Sequence, residues 1–164
     1  MIDIEIREAK AEDWKTIFKL LKENNLYLED FEEIKSNFIV AIYEDKIVGC
    51  ITHRVLDKDV IQIKSVVVVK AYRGKGIGRK LNLEKIKSAK ENGFREAYVG
   101  IFKTNETGNA LYKSLGFGGV DREKLYRYFP KCTMCGGDFG KMPTYCMDNS
   151  EDRKCPVNTY FKLI

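Results

Sequence analysis

A glycine-rich segment between a β-branched run and a helical pattern constrains the fold of this chain more than any other feature. Residues 60–70 are rich in Val and Ile and carry no helix signal, which predicts a buried strand. Residues 73–78 read Arg-Gly-Lys-Gly-Ile-Gly, and an amphipathic helical pattern follows over residues 77–92. A strand that enters a helix through closely spaced glycines leaves backbone N–H groups free at the helix start. The segment therefore predicts a phosphate-binding turn in an α/β fold.

Two well-known phosphate-binding loops do not fit this segment. A dinucleotide fingerprint needs a third glycine where Arg79 stands, and a Walker A loop needs four residues between its glycines, followed by Lys and Ser or Thr. Arg73, Lys75 and Arg79 add positive charge around the turn. The net charge of the whole chain is only +5, and its charges are interspersed, so a small polyanion is favoured over a nucleic acid.

The remaining pattern predicts one layered α/β domain followed by a segment of different composition. The chain has 164 residues, which is ordinary for one domain with a small extension. Strands are expected at residues 2–6, 38–44, 46–55, 60–70, 97–102 and 124–129, and helices at 14–21, 28–37, 77–92 and 105–115. All three prolines and four of the five cysteines follow residue 129. We therefore expect a domain of residues 1–129 and an extension of residues 130–164.

The cellular location expected from the sequence is the cytoplasm. The N-terminus alternates charged residues with isoleucine and has no apolar leader pattern. No apolar run approaches the length that spans a bilayer, so no membrane partner is expected. In a reducing compartment, clustered cysteines favour metal binding or redox chemistry over disulfides.

Two segments carry a family resemblance. Within residues 68–81, the pattern R-x-x-G-x-G is filled by Arg73, Gly76 and Gly78. Within residues 105–117, a tyrosine follows an asparagine in the pattern N-x6-Y, and a Gly-Phe pair ends the segment. Both segments resemble motifs of the GNAT (Gcn5-related N-acetyltransferase) family, which uses acetyl-CoA, and they occur in the family's order.

The resemblance covers roughly residues 2–129 and implies a GNAT-like mixed central β-sheet flanked by helices. It implies direct transfer of an acetyl group from acetyl-CoA to a small-molecule or peptide amine in a ternary complex. Tyr112 would protonate the leaving thiolate as general acid, and Asn105 would contact the pantetheine arm. That arm would pair with the backbone of Val66, Val67 and Val68, and the pyrophosphate would lie on the loop formed by Arg73, Gly74, Lys75, Gly76, Ile77, Gly78 and Arg79. Homodimers are common in the family.

The general base is left open by the sequence. Many relatives have a carboxylate on the strand before the glycine loop, where residues 62–65 read Gln-Ile-Lys-Ser. The alternatives are His53, Asp59 or an ordered water. The acidic residues among 29–33 either recruit a cationic amine or form a solvated helix face. Lys64 would disfavour a cationic amine nearby if its side chain faces the cleft.

The cysteine-rich extension predicts a structural metal site. Its cysteines follow the pattern C-x2-C-x10-C-x8-C, and the first pair precedes two glycines, as in a zinc knuckle. The predicted zinc ligands are Cys132, Cys135, Cys146 and Cys155. An iron–sulfur cluster, two disulfides and free thiols are the alternatives. A second function also stays open: a non-catalytic CoA-binding protein whose metal-binding extension docks a partner or senses metal or redox state.

Overall fold

A mixed β-sheet forms the centre of the computed structural model, which describes residues 3–26, 30–119, 127–128 and 157–164. Within these residues the sheet has six strands in the order β1-β2-β3-β4-β5-β6. Only β4 and β5 are parallel, and the other neighbours are antiparallel. The strands are β1 (Glu5–Glu8), β2 (Ile39–Tyr43), β3 (Lys46–Asp57), β4 (Val60–Val68), β5 (Glu96–Phe102) and β6 (Val157–Leu163).

Helices cover both faces of the sheet. The α-helices that pack on the sheet are α1 (Trp14–Glu23), α2 (Phe31–Ile34), α3 (Ile77–Glu91) and α4 (Glu106–Ser114). One core cluster packs α1 and α2 on one face, and a second packs α3 and α4 on the other. This is the predicted α/β layer fold, and its parallel pair is linked by α3. No helix in the described ranges is long and apolar enough to cross a membrane.

A bulge at Ser65 ends the pairing of β4 with β5. Ser65 has a φ of 55°, in the left-handed region that residues other than glycine seldom adopt. The β4–β5 ladder runs only from Val60 to Ile63, whereas β3 pairs with β4 as far as Val68. The extra residue in β4 makes this a β-bulge. Beyond it, the edge of β4 that faces β5 is left without a strand partner among the described residues.

The last strand of the sheet is not where the sequence predicted it. Of the range 124–129, the structure describes Arg127 and Tyr128, and both are helical, so the predicted strand is wrong there. Instead β6 pairs with β5 along its whole length and buries Tyr160. Although β6 follows the change of composition at residue 129, it belongs to the same sheet as the strands before it. Composition does not predict this, because strand pairing joins segments that are distant in the sequence. Residues 130–156 lie outside the described residues.

Gly49 in β3 allows α3 to pack closely on the sheet. A Cβ atom at this position would lie 2.8 Å from the backbone oxygen of Val67 and 3.2 Å from Cδ1 of Leu81. The oxygen belongs to β4, which is paired with β3, so it cannot move away without disturbing the ladder. Only glycine fits here without a shift of the backbone.

We expect Gly49→Ala to lower the free energy of unfolding by about 1–3 kcal/mol, because overpacking forces backbone shifts. Urea denaturation followed by circular dichroism measures this. Gly118→Ala is the control, since a Cβ at Gly118 meets no atom within 4 Å. An equal loss in both variants would contradict the role given to Gly49.

Candidate active site

The glycine loop is a turn with free backbone donors at the start of α3. Gly74 and Gly76 have φ values of 75° and 78°, and Gly76 is the N-cap of the helix. Among the hydrogen bonds of the described residues, none uses the backbone N–H groups of residues 74–79, and the helical ladder begins with Lys80 N–H donating to Gly76 O. Such donors and the positive end of a helix dipole favour an anion at the turn. Ile77 anchors the turn, because its side chain is buried in the core.

Two of the three cations near the loop also hold it in place. The Nε of Arg73 donates to Val68 O at 2.9 Å, and its Nη2 donates to Asn24 Oδ1 at 3.0 Å. Arg79 Nη1 donates to Ser114 Oγ at 2.8 Å and so links α3 to α4. Arg73, Lys75 and Arg79 are all exposed, so their positive charge faces solvent beside the free amides.

The free edge of β4 leads from the bulge to the glycine loop. Val67 is buried in the core cluster under α1 and α2, whereas Val66 and Val68 pack against the cluster under α3. Side chains on both faces therefore hold this stretch of strand in place, while its edge towards β5 has no strand partner in the described part of the chain. Extended backbone of this kind can accept another extended chain as an added strand.

Tyr112 points its hydroxyl into the core under α3. The residue is 4% exposed, its ring packs edge-on against Phe117, and its hydroxyl has no hydrogen-bond partner among the described residues. Burial raises the pKa of Tyr112 well above its ordinary value, and the neighbouring Asn82 opposes part of the rise. The phenol therefore stays protonated at neutral pH and has a donor to offer.

Asn82 was missed by the sequence analysis. It is fully buried, its Nδ2 donates to Gly78 O at 2.8 Å, and its Oδ1 has no hydrogen-bond partner among the described residues. It stands four positions after Gly78, so helical spacing could have placed it on the buried face of α3. Asn82 connects the glycine loop to the surroundings of Tyr112.

Asn105 has a structural role in α4 that the resemblance did not supply. It is the N-cap, and its Oδ1 accepts a hydrogen bond from Gly108 N–H at 2.9 Å. A Cβ at Gly108 would come within 2.7 Å of the Asn105 amide, so a larger residue there would require this capping side chain to shift. The predicted contact of Asn105 with pantetheine stays a prediction.

Of the two residues offered as general bases, only His53 lies near the bulge, where it pairs with Ile63 of β4. His53 faces Phe94 on the α3 side of the sheet, and it lines a cavity of about 330 Å³ together with Lys85. Burial and the Lys85 ammonium lower the pKa of His53 to about 4. Asp59 lies in the turn before β4, five residues from Lys64 or about 16 Å along an extended strand.

Within the described residues, the acidic run contributes one carboxylate to the sheet face near the bulge, and Glu29 lies outside them. Asp30 accepts hydrogen bonds from Lys64 Nζ at 2.9 and 3.1 Å. Glu32 instead pairs with Lys35 at the surface, and Glu33 is exposed. Lys64 therefore does face this side of the sheet, and it is already paired with a carboxylate.

The predicted metal ligands belong to the extension that follows residue 129. Cys132, Cys135, Cys146 and Cys155 lie outside the described residues. Within the described ranges, no group of three or more His, Cys, Asp or Glu side chains could hold a metal ion. Cys50 is a buried thiol in the core under α1 and α2, as expected, and burial raises its pKa to about 12.

Comparison with known proteins identifies the family. The model of the acetyltransferase (GNAT) family matches residues 4–117, so the chain belongs to this family. An uncharacterised N-acetyltransferase of Chlorobaculum tepidum is 31% identical over 114 residues, which are 66% of this chain and 67% of the relative.

Solved structures show the same fold. A GNAT-family acetyltransferase of Staphylococcus aureus Mu50 superimposes with a TM-score of 0.70 at 23% identity, covering 98% of this chain and 99% of that one. A GNAT-family acetyltransferase of Elizabethkingia anophelis with acetyl-CoA bound has a TM-score of 0.66 at 18% identity, covering 98% of both chains.

We expect Gly76→Ala to weaken CoA binding about fivefold or more, because a left-handed φ costs a residue with a Cβ about 1–2 kcal/mol and the loop would relax away from its anion-binding geometry. Isothermal titration calorimetry with CoA measures the affinity.

Gly93→Ala is the matched control for this variant. Gly93 has a φ of 87° just after α3, and a Cβ there meets no atom within 4 Å, as at Gly76. We expect a similar loss of stability with unchanged CoA affinity. Equal weakening of CoA binding in both variants would count against the glycine loop as the anion site.

Proposed function

We propose that this protein transfers an acetyl group from acetyl-CoA to an amine in a direct, ternary-complex reaction, with Tyr112 as general acid. The observation that carries the proposal is the succession of two backbone stretches without partners among the described residues, the β4 edge of residues 64–67 towards β5 and the amides of residues 74–79. A phosphate-bearing ligand with an extended amide-containing arm would satisfy both. Membership of the GNAT family and the neighbour with acetyl-CoA bound support this ligand.

The binding step uses main-chain donors more than side chains. In the proposal, the amides from Gly74 to Arg79 bind the pyrophosphate, and Arg73 and Lys75 add positive charge. The backbone of residues 66–68 pairs with the pantetheine arm, and one of its N–H groups polarises the thioester carbonyl. These donors need little reorganisation, because β3 and both core clusters already hold the strand.

The chemical step needs a neutral amine, a stabilised oxyanion and a proton for the leaving thiolate. Tyr112 has a protonated hydroxyl with no partner among the described residues, which is the state expected of a donor that acts on a ligand. Binding both substrates together holds the amine and the thioester in the geometry for reaction, which lowers the activation free energy. No covalent enzyme intermediate is required. Burial and Lys85 lower the pKa of His53 to about 4, and Asp59 lies in the turn at the other end of β4. An ordered water is therefore the remaining candidate for the base among those drawn from the sequence.

We expect Tyr112→Phe to lower kcat by about 10²-fold or more, the usual contribution of general acid catalysis. Its stability should hardly change, because the lost hydroxyl has no partner in the described structure. Thiol release from acetyl-CoA across a panel of amines gives kcat, and thermal unfolding gives stability.

Tyr160→Phe is the control for a buried tyrosine. Its hydroxyl donates to Asn109 Oδ1 at 2.8 Å, so its loss should cost about 1 kcal/mol of stability and leave kcat unchanged. An unchanged kcat in Tyr112→Phe would remove Tyr112 as general acid. CoA binding without turnover of any amine would favour the non-catalytic, regulatory alternative.

The cysteine-rich extension is proposed to bind zinc through Cys132, Cys135, Cys146 and Cys155. The support is the knuckle-like start of the pattern and the small number of aliphatic residues available for a core of its own. We expect about one zinc per chain by elemental analysis of protein purified without chelator. Cys132→Ser should lose the metal, and the core variant Cys50→Ala should keep it. Stoichiometric iron, or no metal, would contradict the zinc proposal.

A further inference from the structure

Four polar side chains form a compact group beside the bulge, on the face of the sheet that α1 and α2 cover. Lys64 Nζ lies 2.9 Å from Asp30 Oδ2, and Arg54 Nη1 lies 4.0 Å from the same oxygen. Arg54 Nη2 donates to Gln62 Oε1 at 2.8 Å. We name Asp30, Arg54, Gln62 and Lys64 the Asp30 cluster.

The Asp30 cluster has one more positive charge than negative. Lys64 and Arg54 share a single carboxylate, and the three charged side chains are only 19%, 33% and 19% exposed for Lys64, Arg54 and Asp30. Partial burial strengthens the interaction of the excess charge with any ligand charge. The cluster therefore attracts an anion and disfavours a second cation.

Arg54 has donors left to bind such an anion. Its Nε is buried and has no hydrogen-bond partner among the described residues, and its Nη1 makes only the 4.0 Å contact with Asp30. A guanidinium carries five N–H donors in a planar fork that matches the two oxygens of a carboxylate. A ligand carboxylate would complete the hydrogen bonding of this side chain.

The Asp30 cluster lies close to the edge of β4 where the thioester is expected. Lys64 is the first β4 residue past the β4–β5 ladder and directly precedes the Ser65 bulge. Extending the ladder register by one residue would bring Lys64 opposite Gly100, which is exposed and has no side chain. The position opposite Lys64 on β5 therefore has no side chain to fill it. Lys64 is two residues, or about 7 Å along β4, from the backbone of Val66.

We propose that the acceptor is a small molecule that carries a carboxylate a few bonds from its amine, as a free amino acid does, and that Arg54 and Lys64 bind this carboxylate. The inference rests on the proposed acetyltransferase function. With its carboxylate on the cluster, the acceptor presents its amine to the free edge of β4, where the thioester is expected. The acidic run does not recruit a cationic amine through Asp30, because that carboxylate is held by Lys64.

The first test compares acceptors that differ only in charge. The twenty L-amino acids and their α-carboxamides are assayed as acceptors with saturating acetyl-CoA. We expect the best acceptor to be a free amino acid and to exceed its own amide about tenfold or more in kcat/KM, as for a lost charge-assisted pair. Amides that equal or exceed the acids would overturn the inference.

The second test removes the cations one at a time. Arg54→Gln and Lys64→Gln should lower kcat/KM for the acid about 10–100-fold, mainly through KM, and leave kcat/KM for the amide and the KM for acetyl-CoA unchanged. Lys87→Gln is the control, because it removes the same charge from an exposed ion pair on α3. Equal losses with acid and amide acceptors would show a purely structural role and overturn the assignment.

The direction in which Asp30→Asn changes the KM for the acid distinguishes ligand binding by the cluster from a purely structural role. Removing the competing carboxylate frees both cations, so the KM for the acid should fall, and a general structural defect would not lower it. The Asp30 side chain makes no capping bond to α2, so the substitution leaves the helix start intact. A higher KM for the acid in Asp30→Asn contradicts the proposal.

Direct binding distinguishes failure of this inference from failure of the acetyltransferase function. The amino acids and amides are titrated calorimetrically into the wild-type protein and Arg54→Gln, each saturated with CoA. Selective binding of acids that needs Arg54, without turnover of any amine, would reject the acetyltransferase function and retain the carboxylate site. Absence of acid binding, or acid binding that is unchanged in Arg54→Gln, would overturn the carboxylate site whatever the activity.

Discussion

The bulge at Ser65 is the constraint on which the rest of the molecule depends. By adding one residue to β4, it ends the ladder with β5 after Ile63 while β3 remains paired as far as Val68. Backbone hydrogen-bonding groups buried without partners are costly, so an interrupted ladder persists only where a ligand or solvent can reach it. The strained φ of Ser65 is thus tied to an edge of β4 that has no strand partner among the described residues, and the glycine loop follows this edge along the chain.

Helix α3 links the two ends of this site. Its first turn carries the free amides of the glycine loop, and its buried face carries Asn82 towards Tyr112. The close approach of Leu81 to Gly49 holds α3 against β3, the strand that pairs with β4. Positive charge surrounds the glycine loop and recurs at Arg54 and Lys64 beside the bulge. In the proposed reaction, the glycine loop binds the pyrophosphate of CoA, and Arg54 and Lys64 bind the carboxylate of the acceptor. The thioester and the amine then meet between these two sites, beside the backbone N–H groups of β4.

The sequence allowed the glycine loop, the strand before it and the helix after it to be predicted, because local periodicity and glycine spacing determine them. The N-x6-Y segment likewise forms a helix with Tyr112 on its buried side. Asp30 beside Lys64 could not be predicted, since residues 34 positions apart are brought together by the packing of α2 on the sheet. The same reason explains β6, whose pairing with β5 depends on a contact between distant segments rather than on local composition.

By itself, the sequence determined the order of strands and helices through residue 115, the glycine-rich turn and the family motifs, since each depends on neighbouring residues. Only the tertiary structure decided where β4 and β5 separate, which strand closes the sheet, and which charges face the cleft. His53 illustrates the difference, because its ordinary pKa suits a base, yet the fold buries it beside Lys85 on the α3 face. Burial and charge pairing are properties of the packed chain, and they set which side chains can act.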